Sequence, residues 1–185
     1  MRIYNSNILT QRKCGTRFFD NFFGNGYDID YNDLINSNLL TNQKNIIIIR
    51  NPYEHFISAL HTEVVVYEDS NNIINASTID NILNGFIDGQ GHWNINFFRN
   101  MESYLNNENN TLVDLKHINN FFDVKFFNKQ VYDLDSKIFP NKKNTFDIAK
   151  IYHKEKIDII IKEIELEFCV YKKLKNTYIP NKHII

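Results

Sequence analysis

Apolar residues recur in this chain with two rhythms. Four isoleucines follow one another without a break at positions 46–49, the pattern of a short strand buried on both faces. The spacing predicts a strand over 45–50. Directly after it Phe56, Leu60 and Val64 recur at helical spacing. So do Ile79, Leu83 and Phe86, and then Ile157, Ile161, Ile164, Phe168 and Tyr171. These stripes predict helices from residue 52, over 78–87 and over 154–174, the last packing one face on the body. Asn51 stands where it caps the first of them and Pro52 takes the first helical position. Glu54, at the third, is placed to bond back to the Asn51 amide. His55, Ser58 and Thr62 fall on another side of that helix.

Weaker signals fill the remainder. A short polar strand is expected over 3–9. A turn into a helix is expected over 15–23, closed by Gly24-Asn25-Gly26. A short helix near 34–40 lies within an ambiguous polar stretch, 27–44. A loop is expected over 68–77, a turn over 88–91, a helix over 97–105 and a solvated loop over 106–110. Strands are expected over 111–117 and 124–127, and a basic loop over 139–144. Strands alternating with helices imply an α/β fold around a mainly parallel sheet. No repeat or linker divides the sequence, so 1–185 reads as one domain.

Composition narrows the function classes. At 185 residues and 43% hydrophobic content the chain has enough material for one real core. A formal net charge of -1 gives no bulk attraction to nucleic acid or to an anionic membrane. Any anion site must come from local placement of charge. Cys14 and Cys169 form neither a disulfide framework nor a metal-ligand spacing, so no metal is expected. The 46–49 run falls far short of a membrane span. The N-terminus lacks the apolar core of a signal peptide. These features lead to the expectation of a cytoplasmic protein, and the Asn, Ile and Lys bias suggests an AT-rich microbial or viral genome.

Two segments carry anion chemistry. In Lys13-Cys14-Gly15-Thr16-Arg17, Gly15 allows close backbone approach and the following helix start offers free amides. Lys13 adds a mobile charge and Thr16 a hydroxyl. The competing reading is an ordinary turn with solvated basic residues. In the second segment Arg50 ends a strand, where open α/β sheets bind ligands, and its fork suits phosphate. Ser58, two turns along the next helix, offers a hydroxyl to the same anion. The alternative there is an arginine paired with a carboxylate. Two such sites on one small chain point to a ligand with phosphate at both ends.

Together these segments resemble the sulfotransferases that use 3′-phosphoadenosine-5′-phosphosulfate. In that family a Lys-x-Gly-Thr loop after the first strand binds the 5′-phosphosulfate, which matches Lys13, Cys14, Gly15, Thr16 and Arg17. A later strand ending in Arg-Asp/Asn-Pro, with a serine eight residues after the arginine, binds the 3′-phosphate. Arg50, Asn51, Pro52 and Ser58 match it, and 50–60 is most similar to the carbohydrate sulfotransferases. His92-Trp93 resembles a His-Trp pair of the chondroitin type, and Glu167-Phe168 with Tyr171 resembles the family's closing helix. Arg12 replaces the usual proline, Cys14 the usual Ser, Thr or Val, and Arg17 a common Ser or Thr.

The resemblance implies a P-loop-type three-layer fold and in-line transfer of a sulfuryl group to an acceptor hydroxyl, on a glycan or glycolipid, without a metal. Lys13 would stabilise the leaving phosphate oxygen. His92, His61 and Glu63 are the candidate bases. Phe18 or Phe19 either stacks on adenine or packs in the core, and Trp93 either contacts the ligand or packs. Lys142 and Lys143 either fold over the 3′-phosphate or form a solvated turn. The chain is shorter than most of that family, so the acceptor pocket is either open or completed by a second subunit. The other readings are a nucleotide kinase-like phosphotransferase and a non-catalytic nucleotide-binding module of the same fold.

Overall fold

A computed structural model describes residues 1–4, 7–11, 14, 19–20, 23–69, 74–88, 93–122 and 142–180. In chain order the elements are β1 (Arg2–Tyr4), β2 (Ile8–Thr10), β3 (Tyr27–Asp28), α1 (Tyr31–Asn36), α2 (Leu39–Asn42) and β4 (Asn45–Ile49). Next come α3 (Pro52–Asp69), α4 (Ala76–Ile87), α5 (Phe97–Leu105), β5 (Asn110–Asp114) and a 3-10 turn (Leu115–His117). The last are α6 (Ile118–Phe122), α7 (Lys142–Tyr152) and α8 (Lys154–Lys173). They form two compact units. The first takes Met1–Asn51, Asn100–Asn128 and Lys172–Ile185, and the second Pro52–Arg99 and Lys129–Tyr171.

The first unit holds a five-stranded sheet in the order β3-β1-β2-β4-β5. The fold is α/β, but the sheet is mixed rather than mainly parallel. β2, β4 and β5 run parallel, while β1 is antiparallel to both β2 and β3. The single strand expected over 3–9 is in fact two strands that fold back on each other, Tyr4 opposite Ile8, with Asn7 N–H donating to the Tyr4 carbonyl. The break falls at Asn5-Ser6-Asn7, a run of residue types that favour turns. β3 approaches β1 so closely that a Cβ on Gly26 would lie 2.7 Å from the Ile3 carbonyl oxygen, so that position needs glycine.

One face of this sheet is covered by Cys14, Phe19 and Ile118, packed on Tyr4, Ile8, Ile48 and Val113. At the start of the parallel strands, the Asn45 amide donates to Asn110 Oδ1 at 2.8 Å, and Asn110 donates to the Leu40 and Tyr104 carbonyls. These bonds satisfy the polar groups buried where the strands enter the core.

The second unit is helical. α3 begins at Pro52, as expected, and buries Phe56, Leu60 and Val64. It also buries His55, Ser58, His61 and Thr62, so the helix is enclosed on most sides through Val65. Trp93 packs against Phe56 and Phe86 at centroid distances of 5.0 and 5.9 Å, which makes it a core residue. α4 starts two residues earlier than the stripe predicts, at Ala76, because Asn75 caps it by accepting from Thr78 N–H at 3.0 Å. α5 spans the expected 97–105. The basic loop expected over 139–144 is, from Lys142 on, the first turn of α7. α7 buries Thr145 and Ala149, neither of which stands out as hydrophobic. α8 buries Ile157, Ile160, Ile164 and Glu167, so a carboxylate occupies the face read as Ile/Phe alone. The strand expected over 124–127 lies outside the described residues.

Candidate active site

Topology brings three strand ends to one edge of the first unit. β2 and β4 are parallel neighbours with Thr10 opposite Ile48, and β4 and β5 with Ile49 opposite Asp114. The end of β2, three residues before Lys13 in sequence, therefore lies at the same edge as Arg50, the position at which open α/β sheets bind ligands. Lys13, Gly15, Thr16, Arg17 and Phe18 themselves lie outside the described residues, as does His92.

Cys14, the one described residue between Gln11 and Phe19, is tied back to Gln11. Its N–H donates to the Gln11 carbonyl at 3.1 Å and its thiol to Gln11 Oε1 at 3.7 Å. Its side chain is wholly buried beside Phe19, Ile48 and Val113. Burial pushes the thiol up to about 12, with the Arg50 charge pulling it down and the Asp114 charge pushing it up. Both charged groups are thus within electrostatic range of the sulfur. A thiol in that state is a packing group and not a nucleophile. The buried Thr10 hydroxyl, at the end of β2, has no hydrogen-bond partner among the described residues. Phe19 is core: it stacks on Phe23 and meets Phe122 edge-on.

Asp114 is the group that sequence reasoning missed. It ends β5, is buried, and accepts from Lys116 N–H at 3.0 Å, which caps the turn that follows. The strand expected over 111–117 ends at Asp114, which caps the 3-10 turn Leu115–His117, so the aspartate closes the alternating run and does not lie within it.

The remaining candidates lie on α3, in the second unit. Ser58 is buried, and its carbonyl accepts from the Thr62 hydroxyl at 2.9 Å. Glu63 is half-buried. His61 is buried, with Nδ1 2.8 Å from Thr145 Oγ1. Burial lowers its pKa, and the Lys142 charge lowers it further, so the ring is neutral at neutral pH. If Nδ1–H donates to Thr145, the Nε2 lone pair is left available to take a proton. Lys142 and Lys143 are exposed on the first turn of α7.

Among the described residues no helix is long and apolar enough to cross a membrane. Among the same residues, no group of three or more His, Cys, Asp or Glu is placed to hold a metal ion. No family model, curated protein or solved structure matches this chain.

Proposed function

We propose that the protein transfers a sulfuryl group from 3′-phosphoadenosine-5′-phosphosulfate to an acceptor hydroxyl, on a carbohydrate or glycolipid. The observation that carries this reading is the parallel pairing of β2 with β4. It brings the end of β2, which Lys13 follows by three residues in sequence, to the same sheet edge as Arg50, and a ligand with two anionic ends suits that edge. In the reaction the acceptor oxygen forms a bond to sulfur as the bond from sulfur to the bridging phosphate oxygen breaks. Adenosine 3′,5′-bisphosphate leaves, and the acceptor proton passes to a base. Lys13 neutralises charge on the departing oxygen. Arg50 grips the 3′-phosphate through charge-assisted bonds. His92, His61 and Glu63 are the candidate bases, and the neutral His61 ring meets the protonation requirement of that role.

Asp114 favours a second reading. A buried carboxylate ending the strand beside β4 is the kind of group that holds magnesium in nucleotide phosphotransferases. Thermal shifts with adenosine 3′,5′-bisphosphate and with ATP-magnesium separate the two. Preferential stabilisation by the bisphosphate is expected. Preference for ATP-magnesium would transfer the site to phosphoryl chemistry, and indifference to both would remove the nucleotide site altogether.

A further inference from the structure

The two faces of α8 carry different patterns. Ile157, Ile160, Ile164 and Glu167 turn into the core. On the opposite side, positions 155, 159, 162, 166, 169 and 173 advance in steps of four and three, the a/d spacing of a coiled-coil seam. Their occupants are Glu155, Ile159, Lys162, Leu166, Cys169 and Lys173, and all are exposed. Ile159 is 52% and Leu166 49% exposed. Large apolar side chains in water at successive a positions are stabilised by a second helix laid along them.

The charges on the seam select its occupant. We propose that this face binds α8 of a second copy of the chain, antiparallel, across a two-fold axis. In that arrangement each a position faces a d position. Ile159 meets the partner's Cys169, Leu166 meets the stem of the partner's Lys162, and Lys173 meets the partner's Glu155. The two-fold axis repeats every layer, so an ion pair closes each end. A parallel pair would set Glu155 on Glu155, Lys162 on Lys162 and Lys173 on Lys173, three repulsive layers. Sliding the antiparallel pair by one heptad sets either Leu166 against Glu155 or Lys173 against Lys162. Direction and register thus follow from the same six residues. A single helix pair is a small interface, so association is concentration-dependent.

Sedimentation velocity on the full chain, from micromolar to near-millimolar concentration, tests this surface independently of any nucleotide chemistry. A reversible monomer–dimer equilibrium is expected. Ile159→Asp and Leu166→Asp each abolish it while leaving the circular dichroism unchanged, because both side chains face water in the monomer. Glu155→Lys or Lys173→Glu alone weakens the dimer roughly fivefold, and the two together restore it. Ile159→Cys, mildly oxidised, links to the partner's Cys169. A monomer throughout the series overturns the proposal. So does a dimer indifferent to Ile159→Asp, a dimer in which 159 and 169 do not cross-link, or a native-chain disulfide through Cys169 alone, which requires the parallel pair.

Discussion

Glu167, 1% exposed on α8, accepts the backbone N–H of Phe98 at 2.6 Å. The same carboxylate accepts the Arg99 N–H at 3.2 Å and the Arg99 Nε at 2.9 Å. Glu163 takes the other side of that guanidinium at 2.5 Å. A residue about 70 positions away in sequence thus caps two of the amides that open α5. Glu167→Gln keeps the shape but turns an amide N–H toward donors that need an acceptor. We expect it to cost about 2–3 kcal/mol in urea unfolding, and Glu167→Ala about 3–5 kcal/mol. A change below about 0.5 kcal/mol would class the cluster with exposed surface pairs.

His61 gives the stability a pH dependence with a definite sign. Its folded pKa lies below the ordinary 6.5, because of burial and then Lys142. Between the two values the unfolded chain binds the proton and the native chain does not. Stability is therefore full above 6.5 and falls as the pH drops below it, levelling once the folded value is passed. His61→Gln retains a partner for Thr145 and removes the titration. The difference in unfolding free energy between wild type and variant should shrink on acidification below 6.5. A difference independent of pH would mean that the ring titrates alike in both states.

How much of this was legible in the sequence differs from element to element. β4 and the start of α3 were, because four isoleucines, Asn51 and Pro52 are local signals that tertiary packing reinforces. The helix at 97–105 was also legible, although its cap, Glu167, comes from far along the chain, and no local window shows such a partner. α7 was hidden because its buried positions are Thr145 and Ala149, which carry little hydropathy. The mixed sheet was hidden because three-residue strands such as β1 and β2 are too short for alternation to register. In the candidate site, Arg50 follows from the strand end alone, whereas the burial of Cys14 depends on Phe19, Ile48 and Val113 converging from three segments.

The two thiols should behave oppositely. Cys14 is fully buried with its pKa pushed up to about 12, while Cys169 is exposed. A disulfide reagent at neutral pH is expected to titrate one thiol in the native protein and two after denaturation. Cys169→Ser should leave the native protein unreactive. A fast second thiol in the native state would place Cys14 at the surface and not in the core beside Ile48 and Val113.

Arg50 carries the sharpest test of the nucleotide reading. Its guanidinium stands at the end of a parallel strand beside the strand that feeds the Lys13 loop, within reach of the Cys14 sulfur electrostatically. If it holds the 3′-phosphate, Arg50→Ala removes charge-assisted bonds worth about 1.5–3 kcal/mol, a loss of roughly 10- to 150-fold in affinity for adenosine 3′,5′-bisphosphate. AMP lacks that phosphate, so its affinity should change little. The variant should then bind the two nucleotides about equally, whereas the wild type prefers the bisphosphate. Calorimetric titration of both ligands against both proteins measures the contrast directly. A variant that keeps its preference for the bisphosphate would take the 3′-phosphate away from Arg50. A variant that loses both ligands equally would mean that Arg50 maintains the loop and does not touch the phosphate, because only a direct contact distinguishes a nucleotide with the group from one without it.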